Sequence, residues 1–164
     1  PKEPFTDRKF NSMVDEHFKD KPFADVKISI PTVNPERTFL EKIFLLHEEF
    51  QKPEGRIKVD RLSRHLYDVE KMMDTQFAVK ALADIKLYRH LVEHRKTIAP
   101  VRGIDYANHT PDKINPVPPE SILNDWKKDY EQMQQNMIYG ESLPFEKLLE
   151  RILQLKEMIN TIQF

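Results

Sequence analysis

Cysteine is absent from the 164 residues, which excludes a disulfide framework, a thiolate zinc site and a cysteine nucleophile. Glycine is nearly as scarce. The three present, Gly55, Gly103 and Gly140, stand alone, so no glycine-rich loop is available to cradle phosphates. No Asp-x-Asp pair occurs anywhere, and without one this chain by itself cannot assemble a two-metal carboxylate site. No apolar run approaches the roughly 20 residues that span a bilayer, and the first residues lack the apolar core of a signal peptide. These absences point to a cytoplasmic protein. Neither sign of charge is in excess: 26 Lys and Arg stand against 27 Asp and Glu, a formal net charge of -1, without the basic surplus of many nucleic-acid binders.

What is present fits one soluble, globular domain's worth of chain. Hydrophobic residues make up 39% and charged ones 32%, too apolar for disorder and sufficient for a buried core. The sequence begins at Pro1 with no methionine, and the expectation is a piece of a longer protein.

Twelve prolines against so few glycines suggest helices separated by proline-marked breaks. Phe10, Met13, Val14 and Phe18 share one side of a helix expected over 7–18, capped by Thr6 or Asp7. Val26, Ile28 and Ile30 alternate with polar residues, a short strand ending at Pro31. Asn34 suits an N-cap, Pro35 the first helical position and Glu36 the positive end of the dipole, so a second helix runs to about Gln51. After a polar connector, further helices are expected over about 61–74 and 76–96. A proline-rich passage at 97–119 follows, then helices over about 119–138, with Ile122, Trp126, Tyr130, Met133 and Met137 as its stripe, and from Pro144 to the end. The fold class is mainly α, about six helices with at most a small strand pair. It divides into a lead-in helix and strand at 1–33, central helices at 34–96, a long loop at 97–119 and a helical hairpin at 120–164.

Helical phase places the key charges. Phe39, Ile43, Leu46 and Phe50 cluster on one face of the second helix with Lys42 on the flank, its stem against the core and its ammonium at the rim. Leu62, Leu66, Val69 and Met73 form the stripe of the third. Arg61, His65 and Asp68 share one flank there, Arg64 lies just behind, and Asp68 is within local reach of both Arg64 and His65. Spacing alone also describes two ordinary amphipathic helices with solvated salt bridges.

Together, Asn34-Pro-Glu-Arg-Thr-Phe-Leu-Glu-Lys42, the Leu-Leu-His47-Glu-Glu that follows, and Ser63-Arg-His-Leu-Tyr-Asp68 resemble the AbiEii/AbiGii family. These are nucleotidyltransferase-type toxins of bacterial abortive-infection (phage-defence) and toxin–antitoxin systems. The resemblance is closest over 31–74 and continues through Glu93-His94-Arg95 and Asp105-Tyr106-Ala-Asn-His109. It implies the C-terminal helical part of an α+β nucleotidyltransferase, moving a nucleotide from a nucleoside triphosphate to an acceptor such as tRNA with Mg²⁺, and an antitoxin protein as partner. By position Lys42 would contact the triphosphate and Asp68 would serve catalysis or positioning, with Arg64, His65 and Arg61 as supporting or substrate-binding residues. A lysine suits phosphate as a mobile point charge. The Gly-Ser segment and aspartate pair that come first in this family are missing, so this chain taken alone is expected to be inactive. The reading from a different class is a non-catalytic helical interaction module that binds a protein partner.

Two other groupings carry alternatives. His90 and His94, with Glu93, have the helical spacing of a zinc pair, but Arg89, Arg95 and Lys96 surround them and no third ligand is evident, so no metal site is assigned. The same basic run could meet an RNA backbone. The 97–119 passage is either a strap packed across the helices or a substrate-facing loop.

Overall fold

The computed structural model describes residues 5–24 and 27–163. Among these are seven α-helices and one two-stranded antiparallel sheet. The mainly α class with a small strand pair is therefore correct, although the start of the chain is built differently from the sequence reading.

Residues expected to open a helix form a strand instead. β1 (Phe5–Phe10) runs against β2 (Ile28–Val33), with Phe5 opposite Val33 and Phe10 opposite Ile28. Helix α1 (Met13–His17) starts late because Ser12 takes the N-cap. The Ser12 Oγ accepts from the Asp15 N–H at 3.0 Å and the Asp15 carboxylate accepts from the Ser12 N–H at 2.9 Å, a reciprocal capping box. β2 continues through Pro31 to Val33. A two-stranded ribbon leaves each strand one open edge, where a residue with no N–H to give is tolerated. Val26, counted above as the first strand residue, lies outside the described residues.

α2 (Pro35–Phe50) is the centre of the helical body. Phe39, Leu40, Ile43, Phe44 and Leu46 are all buried, a far wider arc than the single stripe expected. The reason is that α3 (Ser63–Met73), α4 (Gln76–Ala83) and α5 (Ile85–Ile98) all pack on it. Asn34 holds the N-cap position in extended conformation, yet its Oδ1 accepts from the Thr6 hydroxyl at 2.7 Å and caps nothing. The single helix expected over 76–96 breaks at Asp84, which ends α4 and caps α5 by accepting from the Leu87 N–H at 2.9 Å. A short side chain that competes with the backbone for hydrogen bonds favours such a break.

α6 (Leu123–Asn136) and α7 (Phe145–Asn160) are joined through Gly140, whose φ of 106° favours glycine. They do not stand apart as a hairpin: α3 packs against both. Trp126, Tyr130 and Met133 are buried as the stripe implies, but Met137 falls beyond the helix and is 52% exposed. The 97–119 passage packs over the helices. It buries His109 and Ile114, turns twice through short 3₁₀ segments and is pinned by Asn160, whose amide donates to the Ile114 carbonyl at 3.1 Å.

Leu66 sits wholly inside this core, at the contact of α3 with its neighbours. Leu66→Ala should cost about 3 kcal/mol in urea unfolding, whereas Ile30→Ser on the exposed ribbon should change stability by less than about 0.5 kcal/mol.

Candidate functional site

The packing of α3 on α2 brings Lys42 and Asp68 together. The Lys42 ammonium donates to Asp68 Oδ2 at 2.6 Å, across 26 residues of chain. Both groups sit at the rim of the core, with side chains 22% and 37% exposed, where a solvent-borne anion can reach them. Local spacing had offered Asp68 to Arg64 or His65. Among the described residues the carboxylate bonds to neither, because the longer-range lysine reaches it first.

His65 lies beside the pair as a neutral ring. Burial, then the positive charges of Lys42 and Arg64, push its pKa down to about 4, with Asp68 opposing. Its Nδ1 is buried and has no hydrogen-bond partner among the described residues.

Arg64 and Arg61 face a different place. They line a cleft of about 240 Å³ between the start of α3 and α6, together with Asp129, Gln132, Asn136 and Met137. The corner is held by Asp129, a residue that nothing in the sequence singled out. Its Oδ1 accepts from the Arg61 N–H at 2.7 Å and its Oδ2 from the Ser63 N–H at 3.0 Å. α3 has no side-chain cap of its own, so a carboxylate from another helix caps it. Arg61 has a φ of 57°, the left-handed region, which costs a non-glycine residue roughly 1–2 kcal/mol. The Asp129 clamp offsets that strain.

A second polar cluster joins α2, α5 and the strap, deeper in the body. Glu48 accepts two bonds from the Arg95 guanidinium, at 2.6 and 2.5 Å, and a third from the His109 ring at 3.2 Å. Burial acts to raise the Glu48 carboxyl, but the bonds and charges of Arg95 and His109 outweigh it and hold the pKa at about 2. The Tyr106 ring stacks on His109 at 4.7 Å, and the Tyr88 hydroxyl donates to the His109 carbonyl at 2.9 Å. Next along α2, His47 Nδ1 accepts from the Asn115 N–H at 3.0 Å, which leaves Nε2–H to donate to the Asn108 carbonyl at 3.0 Å. Burial first, and then nearby His109, push the His47 pKa down to about 4. The quoted segments around His47, Arg95 and His109 thus meet in space. Arg95 is turned inward and is lost to the basic run considered for RNA. The His90 and His94 rings are 6.4 Å apart between centroids.

A divalent metal does not fit these residues. No three His, Asp or Glu side chains among the described residues converge as a donor set, and the Asp68 carboxylate is engaged by Lys42. None of the helices, searched over the described residues, is long and apolar enough to cross a membrane.

A helical body presenting a lysine–aspartate pair at its rim is thus the class that fold and geometry define. The family model for the nucleotidyl transferase AbiEii toxin of type IV toxin–antitoxin systems matches residues 1–151, and the chain belongs to that family. No curated protein and no solved structure matches the chain.

Acid should loosen the fold through the buried His47 and half-buried His65 imidazoles. His47 and His65 both titrate lower when folded, at about 4, than the ordinary histidine value of 6.5. The unfolded chain therefore takes up protons first as pH falls, and stability fully present above about 6.5 is lost progressively down to about 4. The melting temperature at pH 5 should lie several degrees below that at pH 7.5. His47→Gln, whose amide can still accept from Asn115 and donate to Asn108, should flatten the slope; an unchanged slope would refute the role given to His47.

Proposed function

We propose that this chain is the C-terminal helical portion of a nucleotidyltransferase toxin that transfers a nucleotide from a nucleoside triphosphate to an acceptor such as tRNA. The observation that carries the reading is the 2.6 Å contact between Lys42 and Asp68, the two residues for which the resemblance implies active-site roles. In the resting protein each neutralises the other. A triphosphate arriving at the rim competes for the ammonium, which can swing on its flexible stem from carboxylate to phosphate oxygens. Lys42 then offsets charge on the departing pyrophosphate, and the freed Asp68 can orient the acceptor hydroxyl and take its proton. The hydroxyl oxygen bonds to the α-phosphorus as the bond to the pyrophosphate oxygen breaks. His65, neutral at physiological pH, lines the approach without adding a competing charge.

Mg²⁺ belongs to this chemistry in the intact enzyme, held by carboxylates that the described residues do not bring together. The portion alone is accordingly inactive on this reading. Support comes from the ribbon. Phe5, Phe10, Ile28, Ile30 and Val33 are each about half exposed, and among the described residues the strands pack extensively only on one another. An apolar surface of that kind marks an interaction site, suited to a unit that brings the carboxylates alongside the pair. An antitoxin protein is the second partner proposed, and bacterial phage defence in the cytoplasm the setting. The same ribbon also suits a non-catalytic module that binds a protein partner, and activity separates the two readings.

The test uses the product of the natural reading frame, incubated with labelled nucleoside triphosphate and total tRNA. Lys42→Ala and Asp68→Ala should each lower label transfer at least about a hundredfold. The exposed pair contributes at most about 1 kcal/mol to stability, so the melting temperature should barely move. No transfer by the unmodified product would overturn the enzyme reading, and full transfer by Lys42→Ala would overturn the role given to Lys42. Transfer by the 164-residue chain alone would refute its inactivity.

A further inference from the structure

The arginine cleft on the other flank of α3 has no part in the lysine–aspartate pair. Among the described residues, neither the Arg61 nor the Arg64 guanidinium forms a hydrogen bond or an ion pair, although Asp68 lies one turn from Arg64 and Asp60 adjoins Arg61. The left-handed backbone at Arg61 is fixed by Asp129, which spends both carboxylate oxygens on backbone N–H groups. The helix terminus is therefore already satisfied, and the cations left for a ligand are the guanidiniums themselves.

The rest of the cleft narrows what that ligand is. Gln132 and Asn136 stand one turn apart on α6. The Gln132 amide is without a partner among the described residues, and the Asn136 amide donates to the Gln132 carbonyl at 2.8 Å, leaving its own oxygen open. Half-exposed Met137 adds an apolar surface. Two guanidiniums for a phosphate, carboxamides for hydroxyls and a thioether for a sugar or base face describe a ribose–phosphate unit. The carboxylates of Asp60 and Asp129 on the same cleft repel a free triphosphate, with its several negative charges, far more than a phosphodiester with one.

We propose that this cleft is a subsite for the RNA acceptor, in which Arg61 and Arg64 hold one backbone phosphodiester and Gln132 reads the adjoining ribose. The proposal rests on the transferase reading for its choice of RNA. It adds residues of α6 to the site and sets the acceptor's backbone, not its reacting hydroxyl, on the flank of α3 opposite the nucleotide. Asp129 acts as a positioning residue, through the backbone at Arg61.

The experiment is fluorescence anisotropy of a labelled single-stranded RNA with the 164-residue chain at a series of salt concentrations. Arg61→Gly suits the left-handed backbone and Arg64→Gln an exposed helical position, so the double variant removes both guanidiniums without threatening the fold. It should weaken RNA binding about tenfold or more and reduce the salt slope by about 1. Lys42→Ala should leave RNA binding within about twofold. The proposal is overturned if the wild-type chain does not bind RNA, if the double variant binds as well as wild type, or if ATP displaces the RNA from the cleft. The outcome is separable from the transferase reading: if the natural product transfers no label while the arginine variant still loses RNA binding, only the transferase reading fails.

Discussion

Glu48 is a buried carboxylate in the last turn of α2, and an unpaired charge there would be prohibitively costly. Three donors meet it, two from Arg95 on α5 and one from His109 on the strap. The requirement reaches far along the chain. To satisfy one side chain of α2, α5 must lie alongside it and the proline-rich passage must cross over it, which places His109 where Tyr106 stacks and Tyr88 bonds. His47 makes the same demand one residue earlier, holding the backbone at Asn108 and Asn115 with its two ring nitrogens. A passage with few apolar contacts and many prolines is thereby fixed by polar bonds in a low dielectric, where they are strong.

α3 is then free to work on two flanks. Toward α2 it offers Asp68 to Lys42, and toward α6 it offers Arg61 and Arg64 to the cleft. Asp129 links the two, because the carboxylate that caps the helix also sets where its first turn begins. With Leu66 and Val69 locked in the core beneath, the helix has little freedom to rotate or slide. The charged groups on its surface are therefore presented by a rigid element, as the proposed phosphate contacts would require. Lys42 is the exception, a flexible stem anchored at one end and held at the other by an exchangeable ion pair.

The ribbon contrasts with this body. An isolated pair of strands is marginal in water, and this one carries large apolar side chains half in solvent. Its link to the body is a continuous turn into α2, supplemented by the bond from Thr6 to Asn34. Such an element makes physical sense as a surface that something else covers. It leads directly into the helix that carries Lys42, so whatever covers it is brought close to the pair.

Local chemistry made much of this legible in the letters. Asn34-Pro35-Glu36 announces α2, the stripe Leu62, Leu66, Val69 and Met73 announces α3, and the spacing of Trp126, Tyr130 and Met133 announces α6, because each signal acts within a turn or two of backbone. The two motif segments likewise marked Lys42 and Asp68 as a pair of interest. The remainder was settled by contacts between distant residues. Residues 5–10 are a strand only because 28–33 lie beside them, and Asp84 breaks a helix whose period runs on through it. Asp68 bonds to Lys42 and not to its neighbours on α3. Asp129, 66 residues from Ser63, caps a helix that has no side-chain cap of its own. Propensity and period describe what a segment can do alone. Which partner satisfies a buried or strained group is decided only when the core closes and water is no longer there to compete.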